Sequence, residues 1–199
     1  MKNNLLDLTF KKEVDCVPEV AWWNYWDHEH LDVVHRNYKK SDILYDKENF
    51  LFRIDEIKIP LIPFISSKTP IFMVQHNSEI MYCYAVQFGV TSKTTITIKK
   101  TGVKKSLIKM NYKFYLNGWR ILLKPLLKKI IPIWNERVWL EDLPIKLRGQ
   151  KVLDLNFKDF KGLPLNIKDR NLNNPIKFKL PITRPRKSTR DKHPLSEKF

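Results

Sequence analysis

The stretch of the chain that decides the fold runs SLIKMNYKFYLNGWRILLKPLLKKIIPIWNERVWLEDL, residues 106–143. Its first eleven residues alternate apolar side chains with lysine or asparagine, which predicts a β-strand with one apolar face. Asn117-Gly118 is typical of a turn that ends such a strand. The apolar residues that follow recur every three to five positions, mostly at the spacing of one helix face: Leu122, Leu126, Ile130, Ile133 and Val138. We therefore expect a last strand followed by a long amphipathic helix, which Pro125 and Pro132 should kink or interrupt.

Period-two alternation also runs through the chain upstream of this stretch. Residues 5–14 begin as an extended segment, and one or two short helices should follow from Pro18 to about His35. Further strand candidates are separated by turn formers: SDILYD, NFLFRIDEIKI, PIFMVQ, EIMYCYAVQF and TTITIKK. The connections are too short for crossover helices, so these strands should pair antiparallel as a meander. Beyond the helix, KVLDLNF could add a short strand.

Composition and charge narrow the functional classes. The two cysteines are too few for a disulfide scaffold and suit a reducing, cytoplasmic compartment. Lysines interrupt the most apolar segment, so a transmembrane helix is not expected. Residues 1–90 carry ten Lys/Arg against thirteen Asp/Glu, whereas residues 91–199 carry twenty-seven against eight. This asymmetry suggests an anionic partner for the second half, or simply a soluble, lysine-rich surface.

The element order, together with VDCVPEVAWWNYWDHEHLDVVH, resembles the START-like (SRPBCC, helix-grip) superfamily. That resemblance implies an α+β fold in which an antiparallel sheet wraps around a long C-terminal helix, with short helices after the first strand. It also implies a hydrophobic cavity between sheet and helix. We expect a START-like ligand-binding domain over residues 1–167 and a basic, proline-containing tail over residues 168–199.

Several large or polar side chains are candidates to line this cavity. The predicted apolar faces of two strands, the last helix and the histidine-rich segment supply them: Trp26, His30, His35, Tyr82, Tyr84, Met110, Tyr112, Phe114, Ile130 and Trp134. The tyrosine hydroxyls and imidazoles would orient the polar end of a ligand. The same side chains could instead fill a solid core, or position a polyketide-like substrate for proton transfer.

The histidine-rich segment also resembles the catalytic domain of Rieske-type ring-hydroxylating oxygenases, which shares the helix-grip fold. The metal motif of that family runs acid, Asp, two residues, His, four residues, His, and a late Asp completes it. Placed on this sequence, it gives Glu29, Asp32 and His35, with Lys40 at the second histidine and Asp142 as the late Asp. A lysine is a poor substitute for an imidazole ligand, and the cysteine and histidine pairs of a Rieske cluster are absent from the sequence. We therefore predict no metal and no cofactor.

These observations favour a protein that binds a hydrophobic small molecule, such as a lipid or aromatic metabolite, for transfer or sequestration. The alternatives are a polyketide cyclase or dehydrase, an oxygenase-derived enzyme, and a basic RNA-binding module. Lys105, Lys109 and Lys113 should form a solvent-facing row on the last strand. Such a row could meet an anionic membrane surface. Nucleic acid fits less well, because we expect no aromatic rings between the exposed lysines.

Overall fold

The computed structural model describes residues 4–27, 30–47, 49–59 and 62–155. The predicted tail over residues 168–199 lies outside them. Within them, seven strands precede a long helix. The strands are β1 (Leu5–Val14), β2 (Tyr38–Lys47), β3 (Phe50–Ile59), β4 (Ile62–Gln75), β5 (Ile80–Gln87), β6 (Val90–Gly102) and β7 (Lys105–Tyr115). The helices are α1 (Pro18–Trp26), α2 (Leu31–Val34), a 3-10 helix (Gly118–Leu123) and α3 (Lys124–Asp154).

All seven strands form one antiparallel sheet in the order β1-β7-β6-β5-β4-β3-β2. Strands β2 to β7 form the predicted meander, and β1 closes it by pairing with β7. The α+β helix-grip fold expected from the sequence is confirmed, with two short helices between β1 and β2. No helix among the described residues is long and apolar enough to cross a membrane.

The core lies between the inner face of the sheet and the helices. On β5, β6 and β7 the inner residues are partners across the ladder, as in Met81–Ile96 and Ile96–Met110. The tryptophans of α1 cover this face, and the rings of Trp22 and Trp26 stack with centroids 5.1 Å apart. Because Trp26 is completely buried, α1 contributes a large share of the apolar area removed from water.

The last helix differs most from the sequence expectation. Its predicted apolar stripe does not face the sheet, since Leu126 is 41% exposed and Ile133 64% exposed. Trp139 is the only apolar member of the buried set, which otherwise comprises Asn135, Asp142, Lys146, Gly149 and Gln150. Helix α3 therefore turns a largely polar stripe towards the interior and leaves apolar side chains outside.

Two smaller predictions about this segment differ from the structure. The predicted interruption of the helix is not observed: α3 continues through Pro132 and Pro144, and Pro125 lies in its first turn, where proline is tolerated. The segment predicted as a short strand starts inside the helix, since residues 151–154 belong to α3. Leu155 follows as the C-cap of α3, and the last two residues of that segment lie outside the described residues.

The packing of α1 gives a stability prediction. Replacement of Trp26 with alanine removes a fully buried indole, so we expect the free energy of unfolding to fall by about 3–5 kcal/mol. Val33→Ala is the control, because Val33 is 72% exposed and its loss should change stability by less than about 0.5 kcal/mol. Urea unfolding monitored by circular dichroism measures both, and equal losses for the two variants would contradict this account of the core.

Candidate functional site

Two histidines and an aspartate converge beneath the sheet. His30 and His35 are the residues that flank the four-residue helix α2, and Asp142 lies on α3. Nε2 of His35 is 3.1 Å and Nε2 of His30 is 3.4 Å from Oδ1 of Asp142. One ligand-type atom of each residue lies within 4.8 Å of the others. The short helix α2 thus sets the two imidazoles, whose centroids are 5.3 Å apart, against one carboxylate oxygen.

A second carboxylate stands behind each imidazole. Nδ1 of His35 lies 2.8 Å from Oε2 of Glu141, at hydrogen-bond distance, and Nδ1 of His30 lies 3.8 Å from Oδ2 of Asp27. Burial opposes a charge on His30, but the carboxylates of Asp142 and Asp27 outweigh it and raise the pKa of this imidazole. A carboxylate near each nitrogen of His30 favours the protonated ring, whereas the hydrogen bond with Glu141 fixes the orientation of the His35 imidazole.

The other oxygen of Asp142 is held by a buried lysine. Nζ of Lys146, one helical turn further along α3, donates to Oδ2 of Asp142 at 3.0 Å. Burial opposes ionisation of Asp142, yet the ammonium and both imidazoles hold the pKa of this carboxyl well below its usual range. Burial also lowers the pKa of Lys146, and Asp142 acts against that shift. The ammonium lies 4.6 Å from the ring centroid of Tyr25 and 5.3 Å from that of Trp139, which compensates part of its lost hydration.

Phenol groups surround this cluster. Tyr112, on the inner face of β7, donates from its hydroxyl to Oδ1 of the buried Asn135 at 3.1 Å. Tyr38 packs against His35 with ring centroids 5.6 Å apart. Burial raises the pKa of the Tyr25, Tyr38 and Tyr112 phenols, so all three stay protonated at neutral pH and act as hydrogen-bond donors.

A second buried polar cluster lies on the inner face of β2, β3 and β4. Nε of Arg53 donates to Oδ2 of Asp55 at 3.0 Å, and the hydroxyl of Ser41 donates to Oδ1 at 2.7 Å. Burial raises the pKa of Asp55, and Arg53 acts against that shift. Thr69, which is the cross-strand partner of Asp55, has a buried hydroxyl without a hydrogen bond to any described residue. The interior therefore contains two polar clusters, one around Asp142 and one around Asp55.

The structure brings together some of the residues predicted to line a cavity. Met110, Tyr112 and Phe114 lie on the inner face of β7, next to the inner residues of β6. Trp26 is buried in the core. The partly buried Trp134 packs against Tyr38, 6.3 Å between centroids, and Ile130 is also partly buried.

Tyr82 and Tyr84 were placed on the wrong face of β5. The inner residues of this strand are Met81, Cys83 and Ala85, which contact the core, so the alternate residues point outwards. The ammonium of Lys93 on β6 lies 4.0 Å from the Tyr82 ring centroid and 5.5 Å from that of Tyr84. Both faces of EIMYCYAVQF carry apolar side chains, so alternation alone could not choose between them.

The structure also corrects the register of the metal motif. Lys40, placed at the second histidine, is exposed on β2 and pairs with Asp42 at 2.7 Å. Glu29 lies outside the described residues. The pattern of acid, two residues, His, four residues and His is met five residues earlier, by Asp27, His30 and His35. The first acid of the predicted register, Glu29, lies three residues before its aspartate, and the corresponding position before Asp27 is Asn24, which is not an acid.

A shallow surface depression of about 840 Å³ lies on the outer side of α3. It is lined by Arg36, Pro132, Ile133, Glu136, Arg137, Leu140 and Glu141. Glu141 connects this depression to His35, whereas Met110, Tyr112 and Phe114 lie on the inner face of the sheet.

Comparison with known proteins defines the fold class. No family model and no curated protein sequence matches the chain. Solved structures do match, and they share the helix-grip fold of the START-like superfamily. The Zhui aromatase/cyclase from Streptomyces sp. R1128 superposes with a TM-score of 0.58 at 8% identity, over 74% of this chain and 94% of that chain.

Two further structures illustrate the range of proteins with this fold. Norcoclaurine synthase from Thalictrum flavum superposes with a TM-score of 0.55 at 12% identity, over 72% of this chain and 95% of that chain. The quaternary ammonium Rieske monooxygenase CntA superposes with a TM-score of 0.54 at 15% identity, over 76% of this chain and 40% of that chain. At these identities the likeness establishes the fold, and activity must be argued from the site.

The pairing of Lys146 with Asp142 gives a second stability prediction. Lys146→Met leaves a buried carboxylate oxygen without its donor, so we expect a loss of about 3–5 kcal/mol in the free energy of unfolding. The double variant with Asp142→Leu should recover part of that loss, because no uncompensated charge remains. Lys128→Met is the exposed control, within about 0.5 kcal/mol of the wild type. A Lys146→Met protein as stable as the control, measured by urea unfolding, would rule out this role for the pair.

The two cysteines allow a prediction about reactivity. Burial raises the pKa of both the Cys16 and the Cys83 thiol to about 11, so only about one thiol in a thousand is ionised near pH 8. We expect slow alkylation of the native protein by iodoacetamide near pH 8, a rate that rises with pH towards 11, and full labelling after unfolding. Rapid labelling of the native protein at neutral pH would show an activated thiolate, which this structure does not support.

Proposed function

We propose that this protein binds an apolar small molecule between the sheet and α3, beside a single divalent transition-metal ion held by His30, His35 and Asp142. The observation that carries the proposal is the convergence of two imidazole nitrogens on one buried carboxylate oxygen. Two histidines and one carboxylate are the donor set of mononuclear non-haem iron sites. This reverses the sequence prediction of a site without metal.

The carboxylate oxygen at this point of convergence calls for a positive charge, which protons on the imidazoles or a metal ion that replaces these protons would supply. Oδ1 of Asp142 is buried and makes no hydrogen bond with the described residues, although both Nε2 atoms lie within 3.4 Å. Nε2 of His35 and this carboxylate oxygen lie 3.1 Å apart, and a His35 that carries its only proton on Nδ1, facing Glu141, would direct a lone pair to the same point. Two ligand atoms each about 2.1 Å from one ion at a right angle would lie about 3.0 Å apart, close to the observed separation.

The chain also supplies groups that would orient these ligands. Glu141 fixes the His35 imidazole from behind, and the carboxylate of Asp27 lies 3.8 Å behind that of His30. Lys146 engages Oδ2 of Asp142 and leaves Oδ1 for the ion. With three protein ligands, a bound metal would keep positions for substrate or oxygen and could supply Lewis-acid or redox chemistry.

The inner wall suits a ligand that is mainly apolar. Met110, Tyr112 and Phe114 face the helix but are only partly buried, which indicates that α3 does not cover them completely. Tyr38 and Tyr112 offer neutral hydroxyls to a polar group, and the Arg53–Asp55 pair lies further along the sheet. An aromatase/cyclase, a synthase and a monooxygenase are among the proteins that share the fold, which supports a small organic ligand.

A metal-free binder or cyclase is the second candidate, and one observation favours it. Lys146 already balances the charge of Asp142, so this carboxylate does not need a metal to be accommodated. In that case the imidazoles and phenols would orient a ligand for transfer, sequestration or proton transfer. Native mass spectrometry with organic extraction would identify a co-purified ligand for either candidate.

Metal binding is the direct test. We expect one Fe(II) or Co(II) ion per chain under anaerobic conditions, measured by elemental analysis and by the absorbance of the Co(II) form. His35→Ala should abolish this stoichiometric binding. His76→Ala is the matched control, because His76 is an exposed histidine outside the site. Equal binding by the wild type, His35→Ala and His76→Ala would show that the metal binds elsewhere and would leave the metal-free candidate.

The carboxylate behind His35 should tune that affinity. Glu141→Gln keeps the size of the side chain but removes its charge, so we expect metal affinity to fall about 10- to 100-fold. Glu136→Gln serves as the control, because Glu136 pairs with Lys12 at the surface and is not near the histidines. Titration with Co(II) separates the two variants, and an unchanged affinity in Glu141→Gln would contradict the proposed support of His35.

A further inference from the structure

Four large apolar side chains are exposed at one end of the molecule, where the β5–β6 turn meets the 3-10 helix and the first turns of α3. The exposed fractions are 57% for Phe88, 65% for Trp119, 78% for Leu122 and 41% for Leu126. Arg120 links the two elements, because its Nε donates to the carbonyl oxygen of Phe88 at 3.1 Å. These apolar side chains therefore form one contiguous exposed surface, in contrast to apolar residues exposed singly.

The turn that carries Phe88 is unusual for an exposed aromatic residue. Phe88 has φ of 52° and Gly89 has φ of 72°. A turn with two positive φ values favours asparagine or glycine at its first position, and a bulky ring there is strained. The side chain nevertheless remains more than half exposed, so burial does not offset this strain. A strained turn that presents an exposed aromatic ring is expected when that ring contacts a partner outside the chain.

The chain segment that carries Trp119, Leu122 and Leu126 is entirely positive in charge. Residues 118–135 contain four basic residues and no acid: Arg120, Lys124, Lys128 and Lys129. None of the four forms an ion pair within the described part of the chain. The lysine row of β7 is different, because Lys105 and Lys113 face Asp15 and Asp7 at 3.8 and 3.7 Å. The uncompensated positive charge therefore lies beside the exposed apolar groups.

We propose that this surface, formed by Phe88, Trp119, Leu122 and Leu126 with the four basic residues, docks on an anionic lipid bilayer. Tryptophan favours the headgroup level of a bilayer, and leucine and phenylalanine enter the acyl boundary below it. Basic side chains beside them attract anionic headgroups. A second copy of the chain fits less well, because self-association through this surface would bring together like charges without an acid between them.

Vesicle sedimentation with the full-length protein tests the docking surface. We expect binding to vesicles of phosphatidylcholine with about 30% phosphatidylserine, little binding to phosphatidylcholine alone, and weaker binding at high salt. Trp119→Ala with Leu122→Ala should lower the partition coefficient at least about tenfold. Val103→Ala is the matched control, since Val103 is 85% exposed in the β6–β7 turn and should leave the coefficient unchanged within about twofold.

Two further measurements make the outcome unambiguous. Lys128→Glu with Lys129→Glu should weaken binding without loss of any apolar group, and circular dichroism of each variant shows whether it is folded. Failure of the folded wild type to sediment with anionic vesicles would overturn the proposal. So would equal binding of the double alanine variant and the wild type. Light scattering that shows a dimer dissociated by Trp119→Ala with Leu122→Ala would instead assign the surface to self-association.

Discussion

The charge of Asp142 constrains the interior of this protein more than any other single group. A carboxylate that is almost completely removed from water must be surrounded by positive or donor groups, and α3 supplies one of them, Lys146, a single turn away. The imidazoles of His30 and His35 supply the others from the segment after α1. The short helix α2, the inner stripe of α3 and the position of the phenols all follow from this arrangement.

Seen from the sheet, the helix is polar where an apolar stripe was expected. Asn135, Asp142 and Lys146 lie on its buried side, and each has a hydrogen-bonding partner among the described residues. Most of the apolar area of the core comes instead from the strands and from the tryptophans of α1, and α3 adds Trp139. A helix-grip interior that is apolar on one wall and polar on the other can hold a ligand in one orientation, because only one end of the ligand finds hydrogen-bonding groups.

The fold could be predicted from sequence because the strand alternation and the short connections leave few topologies for a chain of this length. The site could be predicted only in part. The sequence identifies His35 and Asp142 as candidate residues of a metal motif. It places that motif five residues too late in the chain, on Asp32, His35 and Lys40 instead of Asp27, His30 and His35. The buried face of a strand is harder to predict when both of its faces carry apolar residues, as in β5. The sequence did not predict that Lys146 is completely buried, because a lysine is normally exposed. Its burial in α3 depends on the ion pair with Asp142.

The residues of the central cluster come from distant parts of the chain. The bond from His35 to Glu141 spans 106 residues, and α2 has little other contact with α3 than through this cluster. The cluster therefore connects the α2 segment to the last helix, in addition to the contacts that β1 and α1 make with α3. Any molecule or ion that binds this cluster in the native state, but not in the unfolded chain, would raise the melting temperature of the whole domain. Occupancy of the interior would then be measurable as a shift in the melting temperature, without a probe placed at the binding site.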